Sequence, residues 1–410
     1  MNRRGAEDAK KTGRGDPNSV GIIDETSYPK QGRKTACVKR QYCGARGKVD
    51  NCVVSVHLGY AAGDFHTLLD GDLFLPEGTW DDPARRHEAG IPDDVVYRPK
   101  WVIADELIHR ALANGVRFGW LTFDEFYGRC GPFRRGLEAM GQNYVAEIPV
   151  DLTGWTKPPE VHYQDHPRDK AAGGSGVKRR LKVRNAPAVE VRNVLKHSPV
   201  LRKVAWERFV VKDGEKGPMV WEARRLPFWI KDEKGLHCGP YHLMVARPVL
   251  QPGEVKFFLS NAPQPTTVET LLLVAFSRWR VERMFEDSKT ELGMDHFEVR
   301  KYLSIQRHLV LTCVSHLFLA EFCLAHRGKK PGADRMPGAI GDAFAGSDLE
   351  RRRSMLAPAG RIDLRAIEDN PGTQCRRALQ PSQEENLRIA RERDQAERPT
   401  PLSLATAIAL

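Results

Sequence analysis

The start of the sequence has little apolar character, so no secretory leader is expected. Its first fifteen residues, MNRRGAEDAKKTGRG, are polar and hold no apolar core. The chain also lacks a paired-cysteine pattern: eight cysteines are present and no CxxC occurs. With no leader expected to send it to an oxidising compartment, the cysteines should be free thiols. Cys37, Cys43 and Cys52 lie closest together, and they read as small buried residues rather than a zinc site. A membrane-spanning segment is missing too. The longest apolar run, Leu309–Ala325, has 17 residues and contains Thr312, Ser315, His316 and Glu321. A span wants about 20 mostly apolar residues, so a buried core helix is expected and no membrane partner. No internal repeat is visible.

Basic charge is what the chain does have. Its 64 Lys and Arg outnumber 53 Asp and Glu, for a net charge of +11, and the pI is near 9.3. That balance fits a polyanionic partner. Basic residues gather in VKRRLKVR (Val177–Arg184), RGKK (Arg327–Lys330) and ERRR (Glu350–Arg353), each of which taken alone reads as a solvated face. An apolar content of 41% over 410 residues is enough for a sizeable core.

Patterning divides the chain. Residues 1–18 are polar and expected to form a disordered arm. From 19 to 150, strands are expected at Val20–Asp24, Cys52–Tyr60, His66–Leu75, Phe118–Asp124 and Asn143–Val150, with helices at Lys100–Asn114 and Phe133–Met140. This order predicts an α/β fold, a mixed sheet flanked by helices. Residues 151–262 read as a β-rich insertion, with strand-like runs WERFVVKDG, GPMVWEARRLPFWIKD, YHLMVARPVL and EVKFFLS. From 263 to 330 two helices return. The first starts at a capping box, Thr266 to Glu269, and is expected to run about 26 residues to Gly293. The second covers about Ser304–His326. Residues 331–410 lose apolar periodicity and are expected to be a disordered tail, with a polar helix at Glu384–Glu397.

The chemistry is carried by acids on three elements. Asp24 and Asp124 each close a hydrophobic run, VGIID and FGWLTFD. Strand alternation turns Glu25 and Glu125 the other way. Glu282 lies in FSRWRVERMFEDSKTELG, between Arg278 and Lys289. At 100° per residue, these three fall within about 40° of one another on a helix. Separately each has an ordinary explanation: a helix cap for either aspartate, or an i,i+4 ion pair of Arg278 with Glu282. Lys289 could pair with Asp287 or Glu286. Together they suggest two divalent ions acting on a phosphodiester, because hard ions take carboxylate oxygens, one or two at each site.

At this point the chain resembles a DDE transposase of a bacterial insertion sequence. Arg278, Glu282 and Lys289 have the spacing of the Tyr-Arg-Glu-Lys signature group. The stretches IIDETSYPKQG, KRQYCGARGKVDNC, LTFDEFYG and RWRVERMFEDSKTELGMDHFEVR are similar to the insertion sequence 701 branch. The resemblance covers about residues 19–330. It implies an RNase H-like core interrupted by a β-rich insertion, with Asp24, Asp124 and Glu282 binding two Mg²⁺ (or Mn²⁺) ions. It implies Arg278 and Lys289 on phosphates of the element ends, double-stranded DNA as substrate, and a homodimer in the DNA complex within the bacterial cytoplasm. Two features depart from the pattern. The signature tyrosine falls at Ala275, beside Phe276, and only 23 residues precede Asp24. The competing expectation is therefore a truncated, catalytically inactive DNA-binding remnant, and a third is a hydrolytic nuclease without strand joining. Some related enzymes flip a base onto an aromatic ring. Trp206, Trp221 and Trp229 are candidates, although a sheet-core role is the expectation for each.

Overall fold

The computed structural model describes residues 16–165, 177–183, 186–214 and 217–326. The expected tail, its polar helix, the clusters at 327–330 and 350–353, and all but the last three residues of the arm lie outside them.

Strand β1 (Val20–Pro29) is longer than its hydrophobic run suggested. It pairs antiparallel over its whole length with β3 (Lys48–Ala62), which also pairs with β2 (Lys39–Cys43) and β4 (Phe65–Leu73). On its other side β1 pairs in parallel with β5 (Trp120–Phe123), and β5 pairs in parallel with β6 (Tyr144–Glu147). The parallel ladder stops at Ile23 opposite Phe123. Asp24 is thus not the end of its strand, as expected, but the first residue beyond its parallel partner. Sequence alternation could not show this, because TSYP continues the strand with Thr26, Ser27 and Tyr28 all buried.

Residues 151–262 are rich in strands, as expected, and they extend the same sheet. β14 (Lys256–Ser260) pairs with β6, then β13 (His237–Pro248) and β12 (Gly217–Lys231) follow, flanked by β11 (Glu207–Gly214), β7 (Thr153–Trp155) and β10 (Val189–Glu190). β8 (Val161–Asp165) and β9 (Val177–Leu181) form a separate pair. Two short helices here, α5 (Val191–His197) and α6 (Pro199–Lys203), were not expected.

Helices cover both faces of this mixed sheet. One face carries α2 (Lys100–Ala113) and α4 (Gly131–Ala139), whose Ile103, Leu107 and Phe133 join Ile23, Phe123 and Leu259 in one core. The opposite face carries α7 (Val268–Ser277), α8 (Trp279–Thr290) and α9 (Tyr302–His326), whose Phe276, Met284 and Ile305 join Ile22 and Phe258 in another. A short α1 (Pro83–Ala89) sits in the polar stretch, and α3 (Glu125–Arg129) follows β5.

Two helix expectations are corrected. The single helix of about 26 residues is two helices that meet at Arg278. Ser277 donates its hydroxyl back to the Leu273 carbonyl at 2.8 Å, a bond that bends helices. The cap of α7 is Thr267, accepting from the Thr270 amide, rather than a Thr266–Glu269 box. The second correction is α9. It is not a buried core helix, because Val310, Leu311, Val314 and Phe318 are exposed.

One close approach fixes α3 against β6. A Cβ on Gly128 in α3 would lie 1.9 Å from the Glu147 carbonyl oxygen. Gly128→Ala must push α3 off β6. It is expected to cost about 1–3 kcal/mol, the usual scale of overpacking, read as a lower thermal midpoint.

Candidate active site

Asp24 and Asp124 each stand one residue past the last pair of the parallel β1–β5 ladder, Asp24 within β1 and Asp124 at the end of β5. Asp124 caps α3: its Oδ1 accepts from the Phe126 amide at 3.0 Å and the Tyr127 amide at 3.3 Å. The ordinary explanation of this aspartate therefore holds, and it leaves Oδ2 outside the cap. Asp24 Oδ1 accepts from the Glu25 amide at 2.8 Å, and its Oδ2 accepts from Arg278 Nη1 at 3.1 Å. The Asp24 side chain is 15% exposed. Burial pushes its carboxyl up to about 7; the Arg278 charge works against this and the Asp124 charge adds to it. Asp124 is also raised, chiefly by burial, with the Tyr127 amide opposing. Glu25 turns away, as alternation required, and pairs with Lys100 at 2.7 Å.

From the junction of α7 and α8, the Arg278 guanidinium reaches these acids. Nη1 meets Asp24, Nε lies 3.7 Å from Glu147 Oε2, and Nη2 lies 3.8 Å from Glu282 Oε1. One cation thus serves three carboxylates on β1, β6 and α8. Glu147 was missed in the sequence, although it offers the same signal as the two aspartates, an acid closing a hydrophobic strand. It also holds Lys256 Nζ at 2.6 Å.

Glu282 and Lys289 stand further off. The Glu282 side chain is 66% exposed and lines an open groove with Met219, Trp279, Arg283 and Glu286. Among the described residues no three of His, Cys, Asp and Glu are gathered closely enough to hold an ion. Lys289 does not pair with Asp287 or Glu286, both of which meet Arg283. Its Nζ sits 5.9 Å from the ring centre of Tyr28, four residues along β1 from Asp24. Burial lowers its pKa, and Asp295 opposes that. Lys30 continues the line, with Nζ 3.5 Å from the centre of the Phe297 ring. Trp221 and Trp229 lie on β12, whereas Trp206 sits in the loop just before β11 and not in the sheet. Trp221 is buried against Phe276, with ring centres 4.6 Å apart. Trp206 lies under Arg224 and Arg247, and Trp229 is half-buried on β12, opposite Trp155.

Two half-buried acids near one guanidinium present hard oxygen donors, the kind that divalent cations take. Comparisons with known proteins point the same way. The family model for DDE superfamily endonucleases matches residues 10–218. A probable transposase for insertion sequence element IS701 from Microchaete diplosiphon is 36% identical over 129 residues. That stretch is 31% of this chain and 31% of that protein. The NurA nuclease from Sulfolobus solfataricus aligns over 68% of this chain and 85% of its own at 9% identity, but its TM-score of 0.24 carries no argument about the fold. The family match spans half of the chain and includes both aspartates: the chain belongs to the DDE superfamily endonucleases.

Proposed function

We propose that this protein cuts DNA strands at the ends of an insertion sequence and joins the freed ends to a target. The observation that carries this is the pair of half-buried aspartates, both with raised pKa, at the point where the β1–β5 ladder stops. We assign Asp24, Asp124 and Glu282 as ligands of two Mg²⁺ ions, which Mn²⁺ can replace. Such ions lower the pKa of an attacking water or 3′-hydroxyl and stabilise the leaving oxygen. Glu282 is the outlying ligand, on a helix end that Arg278 already ties to the acids. Arg278 and Lys289 bind phosphates. They flank a stretch of β1 from Asp24 to Tyr28 that is about 13 Å long at 3.3 Å per residue, enough for consecutive phosphates of one strand.

The proposal extends to the architecture. The strand order β4-β3-β1-β5-β6 supports an RNase H-like core made of residues 19–150 and 263–330, with 151–262 as its insertion. Two copies acting together on double-stranded ends, in the bacterial cytoplasm, belong to the same reading. The exposure of Glu282 favours one competitor, a DNA-binding chain without catalysis.

A calorimetric Mn²⁺ titration separates the two. Wild-type protein is expected to bind, and Asp24→Asn and Asp124→Asn to bind far more weakly. Absence of binding, or equal binding by all three, would favour the inactive chain. The titration has a pH signature. Asp24 must lose its proton to hold an ion, so affinity should climb as pH rises through about 7, with proton release. Metal-free stability runs the other way. The folded pKa of Asp24 lies above its usual 3.8, so the stability it adds is full below that value and lost as pH rises through about 7.

A further inference from the structure

Helix α9 is long and largely apolar, with a mean hydropathy of 1.7 over its most apolar 18 residues. Such a helix is normally covered all round. Its inner face, with Ile305, Leu309, Cys313 and His316, packs on the sheet beside β4, and Thr67 Oγ1 meets His316 Nδ1 at 3.1 Å. Its outer face is exposed among the described residues. Val310, Leu311, Val314, Leu317 and Phe318 are between 37% and 65% exposed. Along the outer seam, residues 303, 307, 310, 314, 317, 321 and 324 recur at alternating intervals of four and three, the spacing of a helix that pairs with another helix.

Two positions in that seam are charged, Arg307 and Glu321. Both are exposed, and among the described residues neither has an ion-pair partner. Each lies seven residues from Val314, on opposite sides. A two-fold axis through Val314 relating two antiparallel helices sets residue 314 − k against 314 + k of the other copy. Arg307 then meets the partner's Glu321, Leu311 the partner's Leu317, and Val310 the partner's Phe318. The contact closes on itself, as an isologous interface requires. A parallel pairing would set Arg307 on the partner's Arg307. A bilayer fits worse, because charges lie within the exposed face and the inner face is bonded to the sheet.

We propose that the outer face of α9 is a self-association surface, on which a second copy docks antiparallel about Val314 without DNA. This stands on the helix alone and holds whether or not the acids act as proposed above.

Sedimentation velocity of the full-length protein without DNA tests it, with circular dichroism as the check on folding. Wild-type protein should be a dimer. Val314→Glu places two carboxylates on the axis and should give folded monomers. Arg307→Glu and Glu321→Arg should each weaken the dimer by at least about tenfold, a scale set by close interfacial charge pairs, and the double reversal should recover most of that loss. Because both charges face solvent, these variants remain informative should Val314→Glu misfold. A wild-type monomer would overturn the proposal, as would a dimer indifferent to Val314→Glu or single reversals that the double does not rescue. A monomer destabilised by Val314→Glu would mean that the chain covers its own face. Flotation with phosphatidylcholine vesicles, lost in Val314→Glu, would assign the face to a membrane instead.

Discussion

Asp124→Asn is expected to abolish metal-dependent DNA cleavage while leaving the fold intact. The reason is the double use of this side chain. Oδ1 caps α3 through the Phe126 and Tyr127 amides. Asparagine caps a helix as well as aspartate does, so the variant keeps those bonds and its thermal midpoint. It loses the negative charge that an ion needs. Members of a cooperating catalytic set, removed singly, commonly cost 10³- to 10⁶-fold in rate, and a loss on the order of 10³ or more is expected here. Asp124→Ala should lose as much activity and also about 1 kcal/mol of stability, because alanine cannot cap. Cleavage of a labelled duplex in Mn²⁺, alongside thermal melts of both variants, checks this. Cleavage by Asp124→Asn at the wild-type rate would remove the residue from the chemistry and leave it as a cap alone.

Much of this was legible in the sequence, for identifiable reasons. Alternating and helical periodicities reflect burial on one face, so the strands around Asp24 and Asp124 and the helix from Lys100 appear near their expected places. Length and pairing were less visible. Nothing in VGIIDETSYP says that its parallel neighbour stops at Phe123, although that mismatch is what puts Asp24 and Asp124 just past the end of the ladder. The insertion looked separate because its prolines and glycines punctuate it, yet its strands add to the same sheet through β14 and β6. The break at Arg278 depends on one serine hydroxyl choosing a carbonyl, which helix periodicity does not encode. Across that break Arg278 keeps helical dihedrals and still reaches Glu282 one turn on, while it also meets Asp24; Glu282 lines the groove and Lys289 lies near Tyr28. Apolar composition likewise showed that α9 seeks cover but not that the sheet covers only one side of it.

Arg278→Gln is expected to move two measurements in opposite directions. In the metal-free protein the guanidinium stands 3.1 Å from Asp24 Oδ2, where a bound cation would have to come. A divalent ion about 4 Å from that charge would meet repulsion on the order of several kcal/mol at an effective dielectric of about 20. The ion and Arg278 therefore compete for Asp24, and the guanidinium has to swing towards Glu147, Glu282 or a phosphate. Removing it should tighten Mn²⁺ binding by at least about tenfold, about 1.4 kcal/mol. DNA cleavage should fall by about 10²-fold or more, because charge developing on the phosphate loses a preorganised donor. The metal-free variant should also be less stable, since Asp24 and Glu147 lose the cation they share. Mn²⁺ should restore part of that loss. Calorimetry, cleavage rate and thermal midpoint on one preparation give all three readings. Tighter metal binding with slower cleavage would show Arg278 exchanging Asp24 for DNA as the ions bind. Unchanged Mn²⁺ affinity would mean that the guanidinium and the ion do not share a place, and that Arg278 acts on the DNA alone.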